Sequence, residues 1–193
     1  MAGRSSTNDS LTHLSAVRAG SDELNVIIET PKGSRNKFDY DEEYGLFKLG
    51  GVLAAGAVFP YDFGFVPSTV GGDGDPLDVL VLMDEPAFTG CLVPARLIGV
   101  IVAEQTEGGR TTRNDRLIAV AANSRNHHDV RSLDALHGNL VDEIEHFFVS
   151  YNMAKGKQFQ PSGRFGADRA REIVDEANAR FREHRAATPD LRP

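Results

Sequence analysis

The stretch Asp73-Gly74-Asp75-Pro76-Leu77-Asp78 runs directly into the apolar segment Val79-Leu80-Val81. Gly74 allows a sharp turn, Pro76 fixes its own backbone φ angle, and the apolar segment is typical of a buried strand. We therefore predict a tight turn that holds three carboxylates close together at the mouth of a β-structure. Such hard oxygen ligands suit Mg²⁺, which proteins often bind together with substrate phosphates.

An acidic turn has other interpretations. Asp-Gly and Asp-Pro pairs are common in solvated turns that bind nothing. A calcium-binding EF-hand loop is a poor fit, because it needs a ligand at its fifth position and glycine at its sixth, where Leu77 and Asp78 stand. The turn alone leaves a solvated turn and a magnesium site open.

Length and composition limit the protein classes to consider. The chain has 193 residues, of which 40% are hydrophobic and 25% charged, and this suits one globular domain with a substantial core. The formal net charge of −7 argues against nucleic acid as a partner. An anionic substrate would need local cations, from Lys, Arg or metal ions, to offset this negative charge.

Cysteine usage and hydropathy indicate the compartment. Cys91 is the only cysteine, which excludes an intrachain disulfide and a cysteine-based zinc site. No apolar run approaches the roughly 18 residues of a membrane span, and the first residues lack the apolar segment of a secretory signal. We expect a cytoplasmic protein without a membrane partner.

Short apolar segments joined by Gly- and Pro-rich turns predict a small barrel. The predicted strands cover residues 24–29, 37–41, 46–49, 79–82, 91–102 and 117–121. Segment 59–67 is aromatic but interrupted by Pro and Gly, so we expect a packed loop there.

The C-terminal third changes to helical periodicity. Apolar residues from Leu133 to Tyr151 predict one long helix packed on the barrel, and a second helix is predicted from Ala167 to about Arg185. We expect a flexible arm at residues 1–22, a single domain at 23–186 and a loose tail at 187–193. The cluster His127-His128-Asp129 lies in a predicted loop, where solvated side chains are the expected state.

The acidic turn has companions at characteristic distances along the chain. They are Ile28–Lys37, the aromatic loop 59–67, and the segment His146–Tyr151 followed by Lys155-Gly156-Lys157. In this order and spacing, over roughly residues 24–160, the chain resembles the family I soluble inorganic pyrophosphatases. The resemblance implies an α+β fold, an OB-fold-like five-stranded β-barrel flanked by two C-terminal helices. It also implies Mg²⁺-dependent hydrolysis of inorganic pyrophosphate to two orthophosphates by a metal-activated water, in a homo-oligomer (a hexamer or a dimer).

The resemblance also assigns roles to individual residues. It implies metal ligation by three carboxylates: Asp73, Asp78 and Glu29. It makes Asp75 the candidate general base, and it implies substrate binding by three further groups: Lys37, Arg116 and Tyr151. Taken singly, each has an ordinary alternative, such as a solvated strand lysine or a core tyrosine. Their order relative to the turn favours a site.

Several positions depart from the family pattern. Gly51 stands where the family has a phosphate-clamping arginine, and Lys48 is the nearest cation. Asp39 replaces a glutamate, and Asn152 replaces a lysine. Two tyrosines of the aromatic loop are replaced: Phe59 and Phe63.

The second acidic region of the family has lost its charges. Gln105 and Thr106 replace an acidic pair, and Asn114 replaces a metal-ligand aspartate. The remaining candidates for a replacement ligand are Asn114, Asp115, Glu104 and Glu107. Two alternatives to pyrophosphate hydrolysis therefore stay open: a metal- and phosphate-binding barrel with little turnover, and a hydrolase of another diphosphate.

Overall fold

The computed structural model describes residues 10–187, whose framework is nine strands and two α-helices. In chain order these are β1 (Leu24–Thr30), β2 (Asn36–Asp41), β3 (Leu46–Val52), β4 (Asp62–Val66), β5 (Leu77–Leu82), β6 (Leu92–Glu107), β7 (Arg110–Arg113), β8 (Arg116–Ala121), α1 (Leu140–Ala154), β9 (Gln158–Gly166) and α2 (Ala167–Ala187). Within this described range, neither α-helix is long and apolar enough to cross a membrane.

Five strands close into a ring. The pairing order is β1–β4–β5–β8–β6, and β6 pairs back with β1. All of these pairs are antiparallel except β5–β8, which is parallel. Strands β7 and β9 extend the sheet from β6, while β2 and β3 form a separate hairpin. The α+β fold with a five-stranded barrel and two C-terminal helices is therefore confirmed.

Two apolar cores explain why the strand sequences are continuous apolar runs. Alternate side chains of a strand point to opposite faces, and both faces of β5 are covered. Val79 and Val81 belong to a core that includes Ile173 and Val174 of α2. Leu80 and Leu82 belong to a second core that includes Ile144 and Phe148 of α1. Each C-terminal helix thus covers its own part of the barrel.

The prediction of one long helix beginning at Leu133 is wrong at the N-terminal end of that helix. Leu133–Ala135 forms a short 3-10 turn, and α1 starts only at Leu140. Between them Gly138 has a φ of +48°, which an α-helix does not accommodate. Leu133 nevertheless lies in the core that α1 covers, so its apolar character reflects burial rather than helical position. The second helix is confirmed and ends at Ala187.

The prediction of a packed loop for the aromatic segment 59–67 is also wrong in part, because residues 62–66 form β4. Its prolines, Pro60 and Pro67, flank the strand and interrupt no pairing within it. Gly64 permits a close approach, since a Cβ there would lie 1.9 Å from the carbonyl oxygen of Ile27 on β1. Strand β9 was not predicted, and its Pro161 lies where the pairing with β6 shifts register.

The flexible arm expected for residues 1–22 needs correction over residues 10–22. Thr12 and Ala16 are buried, and Val17 forms a β-bridge with Leu24. The backbone N–H of Ser68 donates to the carbonyl of Thr12 at 2.6 Å, which ties this segment to the barrel. Residues 1–9 and 188–193, including most of the expected tail, lie outside the described residues.

Candidate active site

The acidic turn forms between Val70 and the start of β5. Gly74 has a φ of +99°, a left-handed conformation that favours glycine. The N–H of Gly71 donates to the carbonyl of Asp75 at 2.7 Å, and the N–H of Asp75 donates to Oδ1 of Asp73 at 3.3 Å. Thr69 accepts from the N–H of Leu77 at 3.0 Å, which fixes the point where the turn becomes a strand. The predicted tight turn is confirmed.

Parallel pairing brings a cation to this turn. The register Val79↔Leu117 places the start of β8 beside the start of β5. Arg116 therefore lies next to Asp78, and its Nη1 is 2.6 Å from Oδ2 of that carboxylate. The Arg116 side chain is only 5% exposed. Its Cζ lies 4.8 Å and 5.1 Å from the ring centroids of Phe148 and Phe159, so aromatic faces hold the guanidinium in place.

Strand β1 and the β2–β3 hairpin supply a second ion pair. Glu29 lies at a register irregularity between β1 and β4, and its Oε1 accepts from the N–H of Tyr40 at 2.8 Å. Lys37 Nζ is 3.6 Å from Oε2 of Glu29 and also contacts the Asp39 carboxylate. The ammonium lies 5.3 Å from the ring centroid of Phe63. Lys37 is thus a buried, oriented cation and not a solvated strand lysine.

The second acidic region forms an uncharged wall. Asn114 follows β7, and its Nδ2 donates to Oε1 of Gln105 at 3.3 Å. Oδ1 of Asn114 accepts from Arg116. This pair therefore contributes amide groups, without charge, beside the Arg116–Asp78 ion pair.

Helix α1 contributes an aromatic and cationic wall. Tyr151 lies 5.7 Å from Phe59 between ring centroids and stacks on Phe147 at 5.8 Å. Lys155, one helical turn later, donates from Nζ to the Tyr151 hydroxyl oxygen at 2.5 Å. Phe59 and Phe63, which replace the family's tyrosines, pack against each other with ring centroids 5.4 Å apart.

These groups face one cleft of about 480 Å³. All seven residues predicted for the site line it: Glu29, Lys37, Asp73, Asp75, Asp78, Arg116 and Tyr151. The structure therefore brings together side chains that are far apart in the sequence, from Glu29 to Tyr151. The roles assigned to them stay predictions.

Only one of the four candidate replacement ligands lines this cleft, and it is Asn114. Asp115 is buried elsewhere, where it accepts from the Ala103 N–H and pairs with Arg113. Glu107 pairs with Lys157 at 2.7 Å. Lys48 pairs with Asp41 at 2.6 Å, so it does not stand in for the missing arginine.

Sequence reasoning missed part of the cleft wall. Thr12 and Glu42 line the cleft and contact each other across 30 sequence positions. Neither belongs to a recognisable motif, so only the folded chain shows their position. Lys155 and Lys157 also line the cleft, and their signal was the basic Lys-Gly-Lys segment after the helix. The His128 and Asp129 side chains are 65% and 87% exposed and lie outside the cleft, as expected.

Burial dominates the electrostatics of the carboxylates. It raises the pKa of Glu29 to about 7, although Lys37 and the Tyr40 N–H act in the opposite direction. Burial also raises the pKa of Asp78 against the effect of Arg116. Desolvation, together with the nearby Asp78 and Asp75 carboxylates, raises the pKa of Asp73. For Lys37, burial lowers the pKa, but Glu29 and Asp39 outweigh it and the net shift is upward.

The donor set fits a hard divalent cation in its chemistry. Burial raises the pKa of the carboxyl groups of Glu29, Asp73 and Asp78, and a bound cation would favour their charged forms. Within residues 10–187, no three His, Cys, Asp or Glu side chains lie close enough together to hold an ion. Asp78 and Glu29 point instead to Arg116 and Lys37.

The cleft can now be compared with known proteins. The inorganic pyrophosphatase family model matches residues 26–182 of the chain. The chain belongs to the inorganic pyrophosphatase family. It is 39% identical over 153 residues to an inorganic pyrophosphatase of a Synechocystis species, an alignment that covers 79% of this chain and 88% of that relative.

Two further family members give the same result. An inorganic pyrophosphatase of Halalkalibacterium halodurans is 38% identical over 159 residues, which are 82% of this chain and 95% of the relative. The crystal structure of inorganic pyrophosphatase from Thermus thermophilus matches with a TM-score of 0.82 and 32% identity. That match covers 90% of this chain and 99% of the other. The resemblance inferred from the sequence is confirmed.

Proposed function

We propose that this protein hydrolyses inorganic pyrophosphate to two orthophosphates. The observation that carries the proposal is the single cleft in which the acidic turn meets Lys37, Arg116 and Tyr151, in a member of the inorganic pyrophosphatase family. Phosphoryl transfer depends mainly on positioning and on electrostatic stabilisation of negative charge. A cleft lined by both oriented cations and carboxylates can supply both.

Two cations and one hydroxyl bind the phosphates in this proposal. Lys37 and Arg116 are held by carboxylates and aromatic rings before substrate arrives, so little side-chain entropy is lost on binding. Lys155 donates to the oxygen of the Tyr151 hydroxyl. The hydroxyl proton of Tyr151 is then available for donation to a phosphate oxygen.

Mg²⁺ is the cofactor we propose, and Asp73, Asp78 and Glu29 would hold it once Asp78 and Glu29 turn from Arg116 and Lys37 toward the ion. When bound, such an ion lowers the pKa of a bound water and offsets the charge of the phosphates. Asn114 could add an amide oxygen, which is a weaker ligand than a carboxylate. Among residues 10–187 the Asp75 carboxylate makes no ion pair, so it is available to accept a proton from the attacking water.

Orthophosphate release from pyrophosphate tests this proposal. The purified protein should turn over with Mg²⁺ and stop when EDTA is added. Parallel assays with nucleotide and organic diphosphates test the alternative that the protein hydrolyses another diphosphate. Faster orthophosphate release from one of these compounds would support that alternative. No turnover with Mg²⁺, Mn²⁺, Zn²⁺ or Co²⁺ would contradict hydrolysis and favour a binding barrel.

We also propose that the chain forms a homo-oligomer. The β2–β3 hairpin exposes large apolar side chains, with Tyr44 71%, Leu46 66% and Leu49 58% exposed. Several large apolar side chains exposed on one hairpin favour an interface with another protein chain. Sedimentation velocity would separate a hexamer or a dimer from a monomer, and Leu46→Lys should shift the equilibrium toward monomer.

A further inference from the structure

A second cavity lies behind the acidic turn. It has a volume of about 430 Å³ and is bounded by the turn, the region around β7 and helix α2. The turn separates it from the proposed active cleft, since Asp73, Gly74, Pro76 and Asp78 line both spaces. Four basic side chains line the second cavity: Arg110, Arg113, Arg180 and His184.

Most carboxylates of this cavity already have a cationic partner. Asp78 pairs with Arg116 at 2.6 Å, and Asp115 pairs with Arg113 at 2.7 Å. Glu176 lies 3.4 Å from Arg169, which also pairs with Glu172 at 2.7 Å. Of the acidic lining, Asp73 alone makes no ion pair with the described part of the chain.

Two of the arginines are not neutralised in this way. Arg110 and Arg180 make no ion pair with any residue in the range 10–187. They place two guanidinium groups without an ion-pair partner at this cavity, although the chain carries a formal net charge of −7. A concave surface with uncompensated arginines attracts anions, and arginine suits the geometry of phosphate oxygens.

Arg180 is oriented by the backbone. Its Nε donates to the carbonyl of Val70 at 2.9 Å, which leaves the two Nη groups for other acceptors. The N–H of Val70 in turn donates to the carbonyl of Ala177 at 3.1 Å. These two bonds join α2 to the chain segment that leads into the acidic turn. His184 lies four residues after Arg180, on the same side of the helix.

We propose that this cavity binds a phosphate-bearing anion through Arg110, Arg180 and His184, and that its occupancy acts on the acidic turn. The coupling follows from the shared wall. Arg180 donates to the carbonyl of Val70, and Val70 leads into the acidic turn, so an anion bound to Arg180 acts on the position of that turn. The site goes beyond the proposed hydrolysis and is separate from it. Inorganic phosphate, a diphosphate and a nucleotide share the required phosphoryl group.

Calorimetric titration of the metal-free protein in EDTA tests the site without any turnover. The probes are inorganic phosphate, the non-hydrolysable methylenediphosphonate and ADP. We expect two binding events per chain for the diphosphonate. Lys37→Gln should weaken the event in the cleft, and Arg110→Ala/Arg180→Ala should weaken the other at least roughly tenfold, as expected for lost charge-assisted hydrogen bonds.

Arg182→Ala is the matched control. It removes the same charge from the same helix, but Arg182 does not line the cavity, so both events should persist. Arg110→Ala alone provides a second variant that breaks no recorded bond of the fold, and it should weaken the same event. Comparison of the probes identifies the source: tighter binding of ADP indicates a nucleotide, and equal binding indicates the phosphoryl group alone. Binding unaffected by the arginine variants, or abolished entirely by Lys37→Gln, would overturn the proposal.

Discussion

The buried Arg116 forms an ion pair at 2.6 Å with Asp78, whose side chain is 25% exposed, and the pair exists because β5 and β8 run parallel. The guanidinium is enclosed by Phe148 and Phe159, and it also contacts the Asn114 side chain. One residue thus joins the acidic turn, the uncharged wall and helix α1. We regard this pair as the structural centre of the cleft.

Removal of Arg116 should destabilise the fold, because it leaves Asp78 without its cation. Breaking a fully buried pair from one side costs about 3–5 kcal/mol, and because Asp78 is 25% exposed we expect the lower end of this range for Arg116→Met. Arg116→Lys should lose less, because it keeps the charge but not the planar stacking. Urea unfolding in EDTA measures both. The surface pair of Arg164 with Asp142 and Glu145 is the control: Arg164→Met should change stability by about 1 kcal/mol or less. Equal losses at both sites would contradict the account.

Gly64→Ala should disrupt the barrel. A Cβ at this position would lie 1.9 Å from a backbone oxygen of β1, which cannot move without breaking the β1–β4 pairing. We expect a loss of at least about 3 kcal/mol. Gly166→Ala, where a Cβ would meet nothing within 4 Å, should lie within about 0.5 kcal/mol of the parent. Thermal unfolding measures both variants. Similar midpoint temperatures for the two would contradict the close packing of Gly64 against β1.

Asp84 should confer acid-sensitive stability. Its carboxylate accepts from the N–H groups of Arg125 and Asn126 and from Ser124, and these bonds lower its pKa to about 2. A lowered pKa means that the stabilisation is present above the ordinary pKa of 3.8 and is lost as the pH falls through about 2. Asp84→Asn should therefore be less stable than the parent at pH 7, and the difference should shrink toward pH 2. Urea midpoints at several pH values measure it, and a constant difference would contradict this role.

Asn114→Asp should strengthen Mg²⁺ binding. The change adds a carboxylate to the cleft and attracts Arg116, which frees oxygens of Asp78. Because ligand charge tunes cation affinity, we expect tightening on the order of tenfold. Asn126→Asp adds the same charge in a loop outside the cleft and should have little effect. Calorimetric titration with MgCl₂ compares the two variants, and unchanged affinity for Asn114→Asp would argue against an ion near this wall.

The sequence predicted those parts of the fold that depend on local patterns. Strands such as β5 and β8 are continuous apolar runs, and α2 has a regular apolar stripe. The prediction of the first helix boundary failed because Leu133 is apolar as a core residue outside the helix. Gly138 was the sequence signal against a continuous helix. Strand β4 was missed because its flanking prolines resemble a loop.

The same difference between local patterns and non-local contacts applies to the candidate site. The acidic turn is local and could be predicted from Gly74 and Pro76. The position of Arg116 beside Asp78 depends on strand pairing. Only the folded chain shows that Asn114 lines the cleft, whereas the adjacent Asp115 lines the second cavity alone. The contact of Thr12 with Glu42 joins segments with no shared motif. Such non-local contacts require the folded chain.

Asp75→Asn tests the central claim most directly, because it removes the proposed proton acceptor and leaves the turn's backbone bonds in place. With pyrophosphate and Mg²⁺, we expect orthophosphate release to fall roughly 10²- to 10⁴-fold, the range for loss of general base catalysis. Circular dichroism should be unchanged, and Asp129→Asn, at an 87% exposed side chain outside the cleft, should keep the parent rate. A folded Asp75→Asn variant that releases orthophosphate at the parent rate would contradict the proposed site.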